Sequence, residues 1–167
     1  MKRLLPLFCI LVVLFASAGV ASANSSQPDR FTITGYTVTS VMEPGRVDGR
    51  VAFNVTAAGG TAGYPGGATG YLNGSFTFKE RGSVNLATYK GVNTGLITIT
   101  KQDDPRSQVI IWYGGQLDGM AQPTPKVWGV WYVVKGTGSW NDLKGNGNYT
   151  GNAGVEPFTV VFTGEFD

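Results

Sequence analysis

Alternation of apolar and polar residues runs through most of the chain, with the period of a β-strand rather than of a helix. The densest stretch is residues 127–134, VWGVWYVV, where every position is apolar or glycine, with four valines and three aromatics. β-Branched and aromatic residues fit a pleated surface, so the stretch predicts a strand. One face carries Val127, Gly129, Trp131 and Val133, and the other Trp128, Val130, Tyr132 and Val134. Both faces are apolar, which predicts a central strand buried on both sides. Gly136 and Gly138 end it, and a short reversal over 139–143 leads into a second alternating run. There Lys144, Asn146, Asn148 and Thr150 oppose Gly145, Gly147, Tyr149 and Gly151. A glycine row weakens a strand unless something bulky approaches its backbone. The aromatics of the preceding strand are the expected bulk, and the whole stretch reads as the closing hairpin of a small barrel.

The same alternation predicts strands over 31–41 and 47–57. Another is expected over 71–80, with Leu72, Gly74, Phe76 and Phe78 inward, and Arg81-Gly82 as the turn into a strand over 83–90. Further strands are expected over 94–101, 108–113 and 158–167. Glu43-Pro44-Gly45 and Gln102-Asp103-Asp104-Pro105 carry turn chemistry. Residues 59–70 and 114–125 are rich in glycine or proline and read as two long loops. About nine short, evenly spaced strands define an all-β fold. The expected architecture is a small antiparallel β-barrel of eight or nine strands, because closure leaves no open edge. A β-sandwich is the alternative.

Residues 1–23 do not belong to that fold. Lys2 and Arg3 precede an apolar run from Leu4 to Phe15, and Ala21-Ser22-Ala23 has the small-x-small form of a cleavage site. This predicts a secretory signal peptide cleaved after Ala23, hence a secreted or periplasmic protein with no membrane segment after cleavage. Residues 24–30 read as a flexible tail and 31–167 as a single domain. Without Lys2 and Arg3, the 13 lysines and arginines become 11, against 11 aspartates and glutamates. A formally neutral chain without a basic run gives no footprint for nucleic acid.

The closing hairpin carries Gly136-Thr137-Gly138, Trp140, Leu143, and then Gly145, Gly147, Tyr149 and Gly151, with a terminal strand after Pro157. This pattern resembles the corresponding hairpin of allene oxide cyclase-like and dirigent-like barrels, and of small uncharacterised bacterial proteins placed with them. The resemblance covers about a quarter of the chain. It implies an eight-stranded antiparallel barrel and brings no catalytic residue with it.

The chain has no histidine, and its single cysteine, Cys9, lies in the leader. Ser-His-Asp and Cys-His nucleophile systems are therefore excluded, as are the usual zinc, haem and copper ligand sets. No cofactor, metal site or catalytic residue is expected. Asp103-Asp104 is the one adjacent acidic pair and sits in a turn, where solvent is its expected surroundings. Glu80, Glu156 and Glu165 are isolated in sequence. The candidate ligand-binding residues are Trp112, Trp128, Trp131 and Tyr132. Core packing is the common fate of such side chains; the functional alternative is an aromatic-lined barrel cavity for a small apolar or ring-shaped ligand. Trp131 and Tyr132 point to opposite faces, whereas Trp128 and Tyr132 share one. Three readings follow: a barrel binding a small hydrophobic ligand, a cyclase- or isomerase-like enzyme with a shaped cavity and a buried polar group, or a surface interaction protein using the glycine-rich loops.

Overall fold

The computed structural model describes residues 28–35, 37–44, 49–119, 123–152 and 157–167, with the backbone path alone for Thr37–Pro44. The expected leader 1–23, residues 24–27 of the expected tail, Val47 and Glu156 lie outside the described residues. Ten β-segments follow one another: β1 (Asp29–Gly35), β2 (Thr37–Pro44), β3 (Arg50–Gly59), β4 (Gly66–Gly70), β5 (Gly74–Asn85), β6 (Lys90–Lys101), β7 (Gln108–Asp118), β8 (Lys126–Gly136), β9 (Gly145–Asn152) and β10 (Phe158–Phe166). Every pairing is antiparallel. Among the described residues the only helical turn is a 3-10 turn over Gly138–Trp140.

The sheet closes on itself, as the alternation predicts. β5 through β10 pair in sequence, and β10 pairs with β1. β1 and β2 are separated by one residue and act as one long strand. Its β2 half pairs with β3, and its β1 half with the short extra strand β4. β3 and β4 lie in line, because β5 pairs with both, from Arg50↔Asn85 to Gly59↔Phe76 and again at Ala68↔Gly74. Counted this way, the segments make an eight-stranded barrel. Between β3 and β4 the chain leaves the wall in a small excursion, held by Gly60 N–H on the Tyr64 carbonyl at 2.8 Å and Tyr64 N–H on the Thr61 carbonyl at 2.9 Å.

The inward positions form one apolar core. Phe31, Leu72, Ile99, Val109 and Ile111 are fully buried, and Trp131 is 1% exposed. Phe31 stacks on Phe162 at 4.6 Å and meets the edge of Trp131 at 5.5 Å. The glycine row does have bulky neighbours, but they come from both flanking strands rather than from the preceding one alone: a Cβ on Gly145 would lie 2.6 Å from the Phe166 ring of β10. Trp131 faces Gly147 of β9, which faces Gly164 of β10. The indole crosses toward β10, so that a Cβ on Gly164 would lie 2.8 Å from its ring.

Four expectations are corrected. β8 is central in the pairing but covered on one side only: Trp128, Val130, Tyr132 and Val134 face outward and are exposed. Arg81-Gly82 is no turn; β5 runs through it to Asn85. Gly82 is glycine because the ring of Phe53, from the neighbouring strand, occupies the place of its side chain. The reversal comes later, where Asn85 Oδ1 accepts the N–H groups of Ala87 and Thr88, and Tyr89 takes a left-handed φ of 55°. The 59–70 loop contains β4. The 114–125 loop begins later than expected, because β7 continues through Gly114-Gly115 to Asp118.

At the end of the barrel that holds the 102–107 turn, a polar latch ties that turn to the 3-10 turn. The fully buried Ser107 hydroxyl donates to Asp104 Oδ2 at 2.6 Å and accepts the Ser139 N–H at 2.7 Å. Thr137 Oγ1 donates to the Arg106 carbonyl at 2.9 Å.

Candidate functional site

Cross-strand register assembles a polar chain inside the barrel from residues far apart in sequence. Glu80 of β5, Gly95 of β6 and Tyr113 of β7 form one inward row. Glycine at 95 lets the Tyr113 ring lie across β6, since a Cβ there would stand 2.6 Å from the phenol oxygen. The Tyr113 hydroxyl thereby reaches Glu80 Oε2 and donates to it at 2.7 Å. The next row runs Asn93 of β6, Gly115 of β7, Gly129 of β8 and Tyr149 of β9. Tyr149 crosses two strands, and both are glycine where it passes. A Cβ on Gly115 would lie 2.7 Å from its hydroxyl, and one on Gly129 would lie 2.7 Å from its ring. The Tyr149 hydroxyl donates to Asn93 Oδ1 at 3.0 Å, and Asn93 Nδ2 donates to Glu80 Oε2 at 3.0 Å. Two donors thus converge on one carboxylate oxygen, and the asparagine amide is oriented by its two partners.

Burial dominates the electrostatics. It raises the Glu80 carboxyl above its ordinary value, against the lowering effect of the Tyr113 and Asn93 hydrogen bonds. Burial first, and then the neighbouring Glu80 charge, push the Tyr113 phenol well above its ordinary value. The Tyr149 phenol is also raised, chiefly by burial, with the Asn93 hydrogen bond opposing. Both phenols stay protonated donors at neutral pH, so the proton that can move belongs to Glu80. Among the described residues no cation pairs with it.

A void of about 40 Å³ adjoins this chain, lined by Glu80, Asn93, Tyr113, Tyr149 and apolar neighbours such as Phe78 and Phe158. It admits water. It is far below the roughly 300–1,000 Å³ of small-molecule sites, and none of Trp112, Trp128, Trp131 and Tyr132 lines it, so the expected aromatic-lined cavity is corrected: core side chains fill the barrel.

Of the four sequence-predicted residues, one lies inside and three outside. Trp131 is core: its indole N–H donates to the Asn148 carbonyl at 3.1 Å, and it does not line the void. Trp112, Trp128 and Tyr132 lie on the outer wall. Trp112 and Tyr132 face each other across β7 and β8, stacked at 5.0 Å and 26°. A Cβ on Gly114 would lie 2.7 Å from the Trp112 ring, so the indole lies flat along its own strand. Leu96 of β6 continues the row on one side and Asn146 of β9 on the other. Asp104 is the cap of its turn, its carboxyl held low chiefly by the Ser107 hydroxyl, while Glu165 is exposed.

Sequence reasoning missed Glu80, Asn93, Tyr113 and Tyr149 as a group. One signal for it was present. Glu80 has the same parity along β5 as Leu72, Phe76 and Phe78, which marks an inward carboxylate. Placing the turn at Arg81-Gly82 put Glu80 at a strand end and hid it.

What fold and side chains define is a closed antiparallel β-barrel with a packed interior, an aromatic outer wall and, among the described residues, one inward carboxyl. No protein-family model, curated protein or solved structure matches the chain.

Proposed function

We propose that this is an exported, non-enzymatic barrel that binds a small hydrophobic, ring-bearing ligand on its outer wall. The observation that carries the reading is the stacked Trp112–Tyr132 pair. It is set among outward Leu96, Trp128, Val130 and Val134, which are 47, 39, 52 and 52% exposed. A contiguous apolar patch on a closed barrel has no role in the core, and such patches mark binding surfaces. The filled interior favours the outer wall over the barrel centre. Export rests on the leader over 1–23. The likeness to allene oxide cyclase-like and dirigent-like barrels agrees with the eight-stranded layout and names no ligand.

The test is a tryptophan-fluorescence titration with an uncharged ring probe, 2-naphthamide. Saturable quenching is expected in the native protein, and its loss in Trp112→Ala and Tyr132→Ala. Absence of saturable quenching overturns the reading.

The buried Glu80 carboxyl favours a second reading, a cyclase- or isomerase-like enzyme in which Glu80 exchanges a proton with a bound molecule. It requires the barrel to admit a substrate. Deuterium incorporation from solvent into a bound ketone, abolished by Glu80→Gln and untouched by Trp112→Ala, would favour this reading over the first.

A further inference from the structure

We infer that the outer-wall ligand is an anion, a ring or fused ring bearing a carboxylate, with its acidic group held by Lys79 and Arg81; this rests on the outer-wall reading. A groove of about 590 Å³ runs along the outer face of β3, β5, β6 and β7, within the range of small-molecule sites. Its two sides differ in chemistry. On β7 it is bounded by Trp112, and its floor on β6 carries Leu96 and Thr94. On β5 it is bounded by Lys79 and Arg81.

The register fixes these positions. Lys79 faces Leu96, which faces Trp112; Arg81 faces Thr94, which faces Gly114. The cations stand two residues apart on one face of β5, so both point into the groove. β5 and β7 are two strand spacings apart, about 9–10 Å. That span suits a flat ring lying against Trp112 with an acidic group directed at β5.

Charge complementarity selects an anion. Among the described residues neither Lys79 nor Arg81 has an ion-pair partner; the ion pairs are Lys90–Asp118 and Arg106–Asp104. Among the described residues the one acidic residue bordering the groove, Glu80, directs its carboxyl inward to Tyr113 and Asn93. An arginine fork beside an ammonium matches a carboxylate. A neutral ligand would leave both cations without a counter-charge. Asn54 of β3 and Thr94 add neutral hydrogen-bonding groups at the same end, since Asn54 faces Arg81.

The experiment compares two probes with the same ring, 2-naphthoate and 2-naphthamide, by titration calorimetry on the purified full chain at low and high salt. At low salt naphthoate is expected to bind about tenfold more tightly, the scale of one charge-assisted contact. That preference should shrink at high salt. It should vanish in Lys79→Gln/Arg81→Gln, with naphthamide binding unchanged. Both positions are exposed, so the double variant should keep its fold, and circular dichroism verifies this. Equal binding of the two probes, or a naphthoate preference that survives the double substitution, overturns the inference while the outer-wall reading stands. Binding of neither probe overturns both.

Discussion

Trp131 and Tyr132 are neighbours in sequence and opposites in surroundings, at 1% and 47% exposure. Each belongs to a row of aromatics running across the barrel wall, one inside and one outside. Inside, three large rings lie where adjacent strands lack a side chain: Trp131 toward Gly164, Tyr149 over Gly129 and Gly115, Tyr113 over Gly95. Outside, Trp112 lies over Gly114 of its own strand and has a groove on its flank. Along β8 the two faces are alike in composition, apolar or glycine at every position from 127 to 134. What separates them is where the glycines stand: inner rings are locked by neighbouring strands, and outer rings are laid flat and left accessible.

The sharpest way to break this comparison is to truncate one ring on each wall. Trp131→Ala should cost about 3–5 kcal/mol in denaturant unfolding, the usual loss for a buried tryptophan. Trp128→Ala should stay within about 0.5 kcal/mol. Comparable losses at the two sites would contradict the division into a structural and a binding wall.

Adding a methyl group to the glycines tests the same division more gently. Gly129→Ala places a Cβ against the Gly114 carbonyl of β7 as well as the Tyr149 ring and should cost at least about 1–3 kcal/mol through overpacking. It should also displace the Tyr149 hydroxyl from Asn93. Gly114→Ala should lift the Trp112 indole off its strand, shift the tryptophan emission and weaken naphthamide binding, with a smaller loss of stability.

The carboxyls supply a pH comparison. Burial raises Glu80 in the native state, so the native protein binds that proton more tightly than the unfolded chain does. The resulting stabilisation is complete below the unfolded-state pKa and is lost as pH rises through the native one. Glu80→Gln should remove this fall, narrowing its stability deficit, or widening its advantage, relative to the native protein as pH rises. Asp104 has the opposite sign. The Ser107 hydroxyl lowers its pKa, so its contribution is present above the unfolded value and is lost as pH falls through the native one. Stability curves of Glu80→Gln and Asp104→Asn should therefore diverge from the native curve on opposite sides of the ordinary carboxylate range.

Trp112→Ala should cost far less stability than Trp131→Ala and produce the largest loss of ligand binding. A loss of binding with an unchanged unfolding midpoint would place the outer row outside the folding core.

The barrel was legible in the sequence because side-chain alternation survives in nearly every strand. β8, β9 and β10 stand within a residue or two of the alternating runs. The errors lie at glycines. Gly82, Gly114 and Gly115 have the composition of turns, yet they sit mid-strand where a ring needs the space. Local sequence cannot distinguish these uses, because the ring comes from another strand or from two residues away. The opposition of Trp131 and Tyr132 was legible from parity. Which of them faces inward was not, since both faces of β8 are apolar. The Tyr149–Asn93 contact depends on register across four strands, which no local pattern records.

The pairing of Trp131 with Gly164 has a consequence for how such a barrel diverges. The indole and the missing side chain are halves of one volume, encoded 33 positions apart. Enlarging Gly164 alone brings a collision, and shrinking Trp131 alone leaves a hole. The Asn146 carbonyl crowds the same place, so shrinking Trp131 does not by itself make room at 164, and both sites should resist drift together.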